Sequence, residues 1–172
     1  MRARAGGDAR TTALFAFVAA VSLGALVAAL VSQHVYDMQP CPWCVLQRLV
    51  FVAIFAFALL GLAWRGAAGS RVAGTFALLL AFAGIAAALW QQLVAAKSES
   101  CNLTLADRIV GATTLDRLLP DVFEARASCA DAAVSLLGVP YAYWAAACFA
   151  VCAIALLRIL RLVDQRTIVD LA

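Results

Sequence analysis

The sequence predicts an all-α membrane protein, a bundle of four transmembrane helices, and three observations predict it. Hydrophobic residues make up 66% of the 172 residues and charged residues only 13%, whereas soluble domains run at about 45–50% apolar and about 25% charged. Mean hydropathy is +0.95. Four separate runs, 12–31, 45–64, 72–94 and 141–160, reach the roughly 20 mostly apolar residues that a spanning helix needs. Full charges within them are confined to Arg48 and, near the far end of the last run, Arg158.

The elements follow in order. The first run comes after Arg2, Arg4 and Arg10. A basic start also suits a cleaved signal peptide, but the apolar stretch is longer than a usual leader core and no small-x-small site stands out near Ser32. It is therefore read as a spanning helix. A short link, 32–44, leads to the second run, and a basic turn with Arg65 and Arg71 joins it to the third. A long polar stretch, 95–140, precedes the fourth run, and a tail carries Arg161 and Arg166. No internal repeat or low-complexity tract divides the chain, so 1–172 reads as one transmembrane domain.

Orientation follows from Lys and Arg beside the helix ends. Arg2, Arg4, Arg10, Arg65, Arg71, Arg158, Arg161 and Arg166 gather on one side. The 32–44 link has no such charge, and in the long loop Lys97, Arg108, Arg117 and Arg126 are outnumbered by acids. Both termini are expected in the cytoplasm and both Cys-bearing loops outside. The net charge of +3 is modest and dispersed, and it makes no case for nucleic acid.

An even number of spans separates the two outer loops, so Cys41, Cys44, Cys101 and Cys129 share one face of the bilayer in either orientation. An oxidising face is where disulfides form and persist. One close pair and one distant pair there have the makings of a disulfide relay. In Cys41-Pro42-Trp43-Cys44, two intervening residues let the sulfurs meet, and Pro42 suits the first turn of a helix. Cys44 then lies among unpaired N–H groups at the positive end of the dipole, which favours the thiolate, the form that exchanges. Arg48, four residues on, shares that face, and its side chain leans back toward Cys44. A charge at that depth costs free energy and marks function. Its expected role is to stabilise the thiolate and a developing anion on an electron acceptor.

Cys101 and Cys129 lie too far apart for the paired spacing of metal sites, and fit a loop-closing disulfide, structural or redox-active. Between them, Leu115, Leu118, Leu119, Val122 and Phe123 repeat at helical spacing beside Asp116, Arg117, Asp121 and Glu124. This predicts a short amphipathic surface helix, kinked or divided at Pro120. Cys148 and Cys152, within the fourth run, read as soft apolar packing residues. His34 reads as interfacial. Gln91 and Gln92 close the third run on the motif's side, as interfacial residues or as hydrogen-bond partners for a quinone carbonyl. Trp43, Trp64, Trp90 and Trp144 read as belt residues.

Gln33-His34-Val35, Pro40 through Cys44, Arg48, the Cys101/Cys129 loop with Leu115-Asp116 and 120–123, and Leu137-Gly138 together resemble the disulfide bond formation protein B (DsbB) family, over about 13–160. The resemblance implies a multi-pass protein of the bacterial inner membrane, with 32–44 and 95–140 as periplasmic loops. It implies a protein-disulfide:quinone oxidoreductase that reoxidises a DsbA-like, thioredoxin-fold partner and passes electrons to ubiquinone or menaquinone. Carried over by position, the reduced partner attacks Cys101, Cys129 exchanges with Cys41, and Cys44 delivers electrons to quinone beside Arg48. Family members often carry a basic residue where this chain has Trp90-Gln91-Gln92. Two alternatives stand beside this reading. In vitamin K epoxide reductase-like enzymes the loop pair precedes the CxxC, whereas here it follows. The other is a metal-binding or structural membrane protein using the same four thiols.

Overall fold

The computed structural model describes residues 2–64, 66–97 and 104–171, so Cys101 and Arg65 lie outside the described residues. Helix α1 (Arg2–Tyr36) stops where Asp37 adopts a φ of 53°, a left-handed conformation that Asp tolerates because its short side chain bonds locally. Helix α2 (Pro42–Ala63) begins on Pro42, whose missing N–H is not needed in a first turn. Cys41 precedes it in extended conformation, with its sulfur accepting from Cys44 N–H. Helix α3 (Ala67–Leu93) follows Gly66, and a 3-10 turn, Ala95–Lys97, continues it.

The four candidate spans are Ala9–Tyr36, Pro42–Ala63, Ala67–Lys97 and Tyr141–Gln165. Each reaches beyond the expected apolar run at one end or both. The apolar runs mark the part solvated by lipid, whereas the backbone ladder continues until a capping or turn residue stops it.

Helices α1, α2, α3 and the final long helix pack in a ring, each against its two neighbours. Inside lie Phe15, Ile54, Phe149, Leu156 and Ile159, with Phe51 and Phe149 stacked at 3.9 Å between ring centroids. On α3 the buried face is Ala73, Ala77, Ala81 and Gly84. Small residues let helix backbones approach closely in lipid, where dispersion must replace the hydrophobic drive. Outward-facing Phe17, Leu23, Val27, Phe76, Leu79 and Phe82 are exposed, which suits hydrocarbon as the surrounding solvent. The protein is a four-helix membrane bundle.

The long loop carries more structure than its sequence pattern predicts. Helix α4 (Leu105–Thr113) is held by a reciprocal capping box between Thr104 and Asp107, a signal present in the sequence and missed by a reading tuned to apolar runs. The expected amphipathic segment is divided at Pro120 into two single turns, α5 (Leu115–Leu118) and α6 (Pro120–Phe123). Pro120 lacks an N–H and drives Leu119 out of helical geometry, to φ −135° and ψ 66°. The apolar stripe divides with the helix. Leu115, Val122 and Phe123 pack inward, whereas Leu118 and Leu119 are exposed. A two-residue hairpin, β1 (Ser135–Leu136) and β2 (Val139–Pro140), turns through Leu137 and Gly138, both at positive φ. It feeds directly into helix α7 (Tyr141–Leu171).

A second buried cluster forms where this loop folds over the mouth of α2. It joins Cys41, Trp43, Val45 and Leu46 to Ala106, Val110, Phe123 and Cys129. Trp43 therefore departs from the expected belt position. It is buried under the loop, with its ring 6.3 Å from that of Trp90, because the first turn of α2 points into the docked loop and away from lipid.

Candidate active site

Cys41 caps α2 and Cys44 sits in its first turn, which sets their sulfurs 2.8 Å apart as free thiols. Cys129 reaches the same place from 88 residues along the chain, is buried in the same cluster as Cys41 and is close enough to interact with its thiol. Its approach is fixed by backbone. The N–H groups of Arg126 and Ala127 both donate to the Pro40 carbonyl, at 2.9 and 3.2 Å. The result is a row of three sulfurs, Cys129–Cys41–Cys44, with Cys41 in the middle and fully buried. Disulfide exchange needs such a placement, in which one thiol can reach either neighbour.

The row is electrostatically graded. Cys41 is pushed well above the ordinary thiol value of 9.0, first because its proton is held toward Cys129, then toward Cys44, and then by burial. Cys129 falls below 9.0, chiefly because it accepts the hydrogen bond from Cys41, against the opposing effect of burial. In the fully reduced state the outer thiol therefore ionises more readily and the middle one retains its proton. In fully reduced protein carrying Cys44→Ser, Cys129 is expected to ionise below pH 9.0. Adding Cys41→Ala removes the S–H donor and moves this ionisation back toward 9.0. Thiolate ultraviolet absorbance against pH measures it, and indifference to Cys41→Ala would mean that the two sulfurs do not interact. Linkage carries matching signs. The depressed Cys129 value adds stability above pH 9.0 that is lost as pH falls through it, and the raised Cys41 value adds stability below 9.0 that is lost as pH rises.

Cys44 faces a cavity of about 840 Å³ bounded by α1, α2, α7, the loop and, at Gln91, the end of α3. Gln91 Nε2 donates to Cys44 Sγ at 3.1 Å, and Gln47 Nε2 donates to Gln91 Oε1 at 2.5 Å. The second bond fixes which way the Gln91 amide faces, so its N–H is aimed at the sulfur. Arg48 also lines the cavity, but its hydrogen bonds depart from the expected reach back to Cys44. Its NH1 donates to Gln33 Oε1 at 2.6 Å and to the Val122 carbonyl at 2.9 Å, and its NH2 to the Ala29 carbonyl at 3.2 Å. A buried guanidinium has five donors to satisfy, and these acceptors outcompete a single sulfur. The hydrogen-bond donor to Cys44 is therefore Gln91 and not Arg48.

Other expected residues fall as follows. Gln92 is half-buried and is not among the residues lining the cavity, since one helical position carries it about 100° away from Gln91. His34 is exposed, its Nδ1 bonded to the Leu30 carbonyl. Cys152 is buried against Ser22 Oγ, whereas Cys148 lines the cavity wall. Gln47, at the cavity and bonded to Gln91, is a polar residue the sequence pattern does not single out, and Gln33, named there only within Gln33-His34-Val35, is bonded to Arg48. Gln47 carried a usable signal, since a polar side chain beside a charge inside an apolar run is costly unless employed.

The cavity suits a lipophilic acceptor with polar carbonyls. Its volume is typical of small-molecule sites, and Ala25, Ala29, Phe51 and Ala145 line an apolar side. Cys44, Gln47, Arg48 and Gln91 form its polar end. Residues 10–159 match the family model for disulfide bond formation protein DsbB. The chain is similar to disulfide bond formation protein B of Aromatoleum aromaticum, at 36% identity over 84% of this chain and 89% of that protein. Disulfide bond formation protein B 1 of Pseudomonas savastanoi pv. phaseolicola is 37% identical over 78% of this chain and 80% of its own length. Disulfide bond formation protein B of Herminiimonas arsenicoxydans is 35% identical over 84% and 90%.

Proposed function

The chain belongs to the DsbB family, and from that premise we propose that it is a protein-disulfide:quinone oxidoreductase that reoxidises a DsbA-like partner. Membership makes it a multi-pass membrane oxidoreductase of disulfide bond formation, and the relatives' names support this over the metal-binding alternative. Our reading places it in the bacterial inner membrane, with both termini in the cytoplasm and the Cys-bearing loops in the periplasm. The Lys and Arg distribution supports that orientation.

The observation that carries the proposal is the sulfur row ending in a membrane-depth cavity. The exchange steps follow in order. A partner thiolate attacks Cys101 in a Cys101–Cys129 disulfide, forming a mixed disulfide and releasing Cys129 as thiolate. Cys129 attacks Cys41 of the Cys41–Cys44 disulfide, forming Cys129–Cys41 and freeing Cys44. The partner's second thiol then releases Cys101, which attacks Cys129, restores the loop disulfide and frees Cys41. Each step breaks one S–S bond and makes one. The partner leaves oxidised, and its two electrons now reside on the Cys41/Cys44 dithiol. A quinone bound in the cavity supplies the two-electron, two-proton sink. Arg48 and Gln91 would hold it, the loop excludes water, and closure of Cys41–Cys44 resets the site.

A reduced thioredoxin-fold partner and a soluble quinone, added to the protein in membranes, test the scheme. Cys101→Ser and Cys129→Ser are each expected to cut turnover with the protein partner to background. Full activity in either variant, or a stoichiometric metal held by these thiols, would sink it.

A further inference from the structure

Resting on the exchange scheme above, we propose that Gln33 is a positioning residue that, together with Arg48, clamps the long loop so that Cys129 is presented to Cys41. Gln33 is buried near the outer end of α1, at 3% exposure. Its two amide atoms are committed in opposite directions. Oε1 accepts from Arg48 NH1 at 2.6 Å, and Nε2 donates to the Asp121 carbonyl at 3.2 Å. The same Arg48 NH1 donates to the next carbonyl, Val122, at 2.9 Å. Two successive loop carbonyls are thus gripped by a side chain from α1 and one from α2.

The grip lies just before the point where the loop becomes functional. Phe123 follows directly and is buried in the cluster that holds Cys41 and Cys129. Arg126 and Ala127 N–H then bind the Pro40 carbonyl, and Cys129 comes two residues later. A neutral amide suits the post, because it must both accept and donate. A carboxylate there could hold Arg48 but could only repel a carbonyl oxygen. The arrangement also joins loop and cavity, since one NH1 serves both and loses an acceptor whenever the loop lifts.

The test uses full-length protein carrying Cys44→Ser and Cys101→Ser, so that Cys41 and Cys129 form the redox pair outside the bilayer. It is equilibrated with glutathione redox buffers, and the fraction disulfide-bonded is read by gel shift. Gln33→Met is expected to lower the equilibrium constant for the Cys41–Cys129 disulfide about tenfold, close to 30 mV for a two-electron couple, as fits the loss of one or two buried hydrogen bonds. Gln33→Glu, which keeps the Arg48 contact, is expected to lower it severalfold as well. The Cys41–Cys44 pair, measured in Cys101→Ser/Cys129→Ser protein, should stay within about twofold for both variants. An unchanged Cys41–Cys129 constant in Gln33→Met, or an equal fall in both pairs, overturns the clamp. An unchanged constant in Gln33→Glu overturns the part assigned to the Asp121 carbonyl. No quinone or partner enters the measurement, so a failed electron path and a failed clamp give different results.

Discussion

Cys44→Ser is expected to reduce quinone-coupled turnover by roughly a thousandfold or more, the size of loss seen when a covalent catalytic group is removed. A hydroxyl cannot form the disulfide that stores the oxidising equivalent, and no other sulfur at the cavity has the right neighbours. Cys148 lines the same cavity, yet its side chain belongs to α7 and is not part of the sulfur row. Cys148→Ala and Cys152→Ala should therefore leave turnover nearly intact. Electrons entering the Cys44→Ser protein have nowhere to go, so one round with the partner should leave Cys101 and Cys129 as free thiols beside a reduced Cys41, recoverable by alkylation and mass mapping. Quinol formation followed by absorbance gives the rate. If Cys148→Ala proved as damaging as Cys44→Ser, the assignment of Cys44 as the terminal thiol would be wrong.

Arg48→Met is expected to act on both chemistry and fold. It removes the cation at the polar end of the cavity, and it strands Gln33 Oε1 and the Val122 carbonyl, which are partners of NH1. Loss of a preorganised charge from a water-excluded site costs about a hundredfold in rate. Leaving buried acceptors unpaired costs about 2–3 kcal/mol. Arg48→Lys keeps the charge but lacks the fork that reaches α1 and the loop together, so it should fall in between, with a loss of about tenfold. Initial rates against quinone concentration, with thermal unfolding of the same preparations in detergent, separate the two effects. A normal rate in a destabilised Arg48→Met protein would reduce Arg48 to a structural strut.

The four spans, the Cys41–Cys44 pair at the start of α2 and the placement of Arg48 one turn further on were all legible in the sequence. Each rests on local composition or on a spacing of four residues or fewer. The hydrogen-bond partners of Gln33 and Gln47 and the direction of the Gln91 amide were not legible. Their significance lies in contacts with residues far along the chain, such as Gln47 with Gln91 and Gln33 with Asp121. The amphipathic stripe from Leu115 to Phe123 was legible together with its division at Pro120, but not which of its apolar residues pack inward. Helical spacing survives on paper across Pro120, but the backbone does not continue through it.

Sequence by itself determined that this protein is a membrane bundle with a helix-capping dithiol, because lipid admits only segments that satisfy their own backbone and a helix start needs only its own first turn. Tertiary structure alone decided how those thiols are brought together. Cys129 stands beside Cys41 because backbone bonds to Pro40 and side-chain bonds from Gln33 and Arg48 hold the loop down. Cys44, not Cys41, faces the cavity because Cys41 is roofed by that same loop. The physical reason is range. Insertion into lipid is a sum of local transfer free energies, whereas docking of the loop depends on a few hydrogen bonds closed over nearly ninety residues, which no periodicity records.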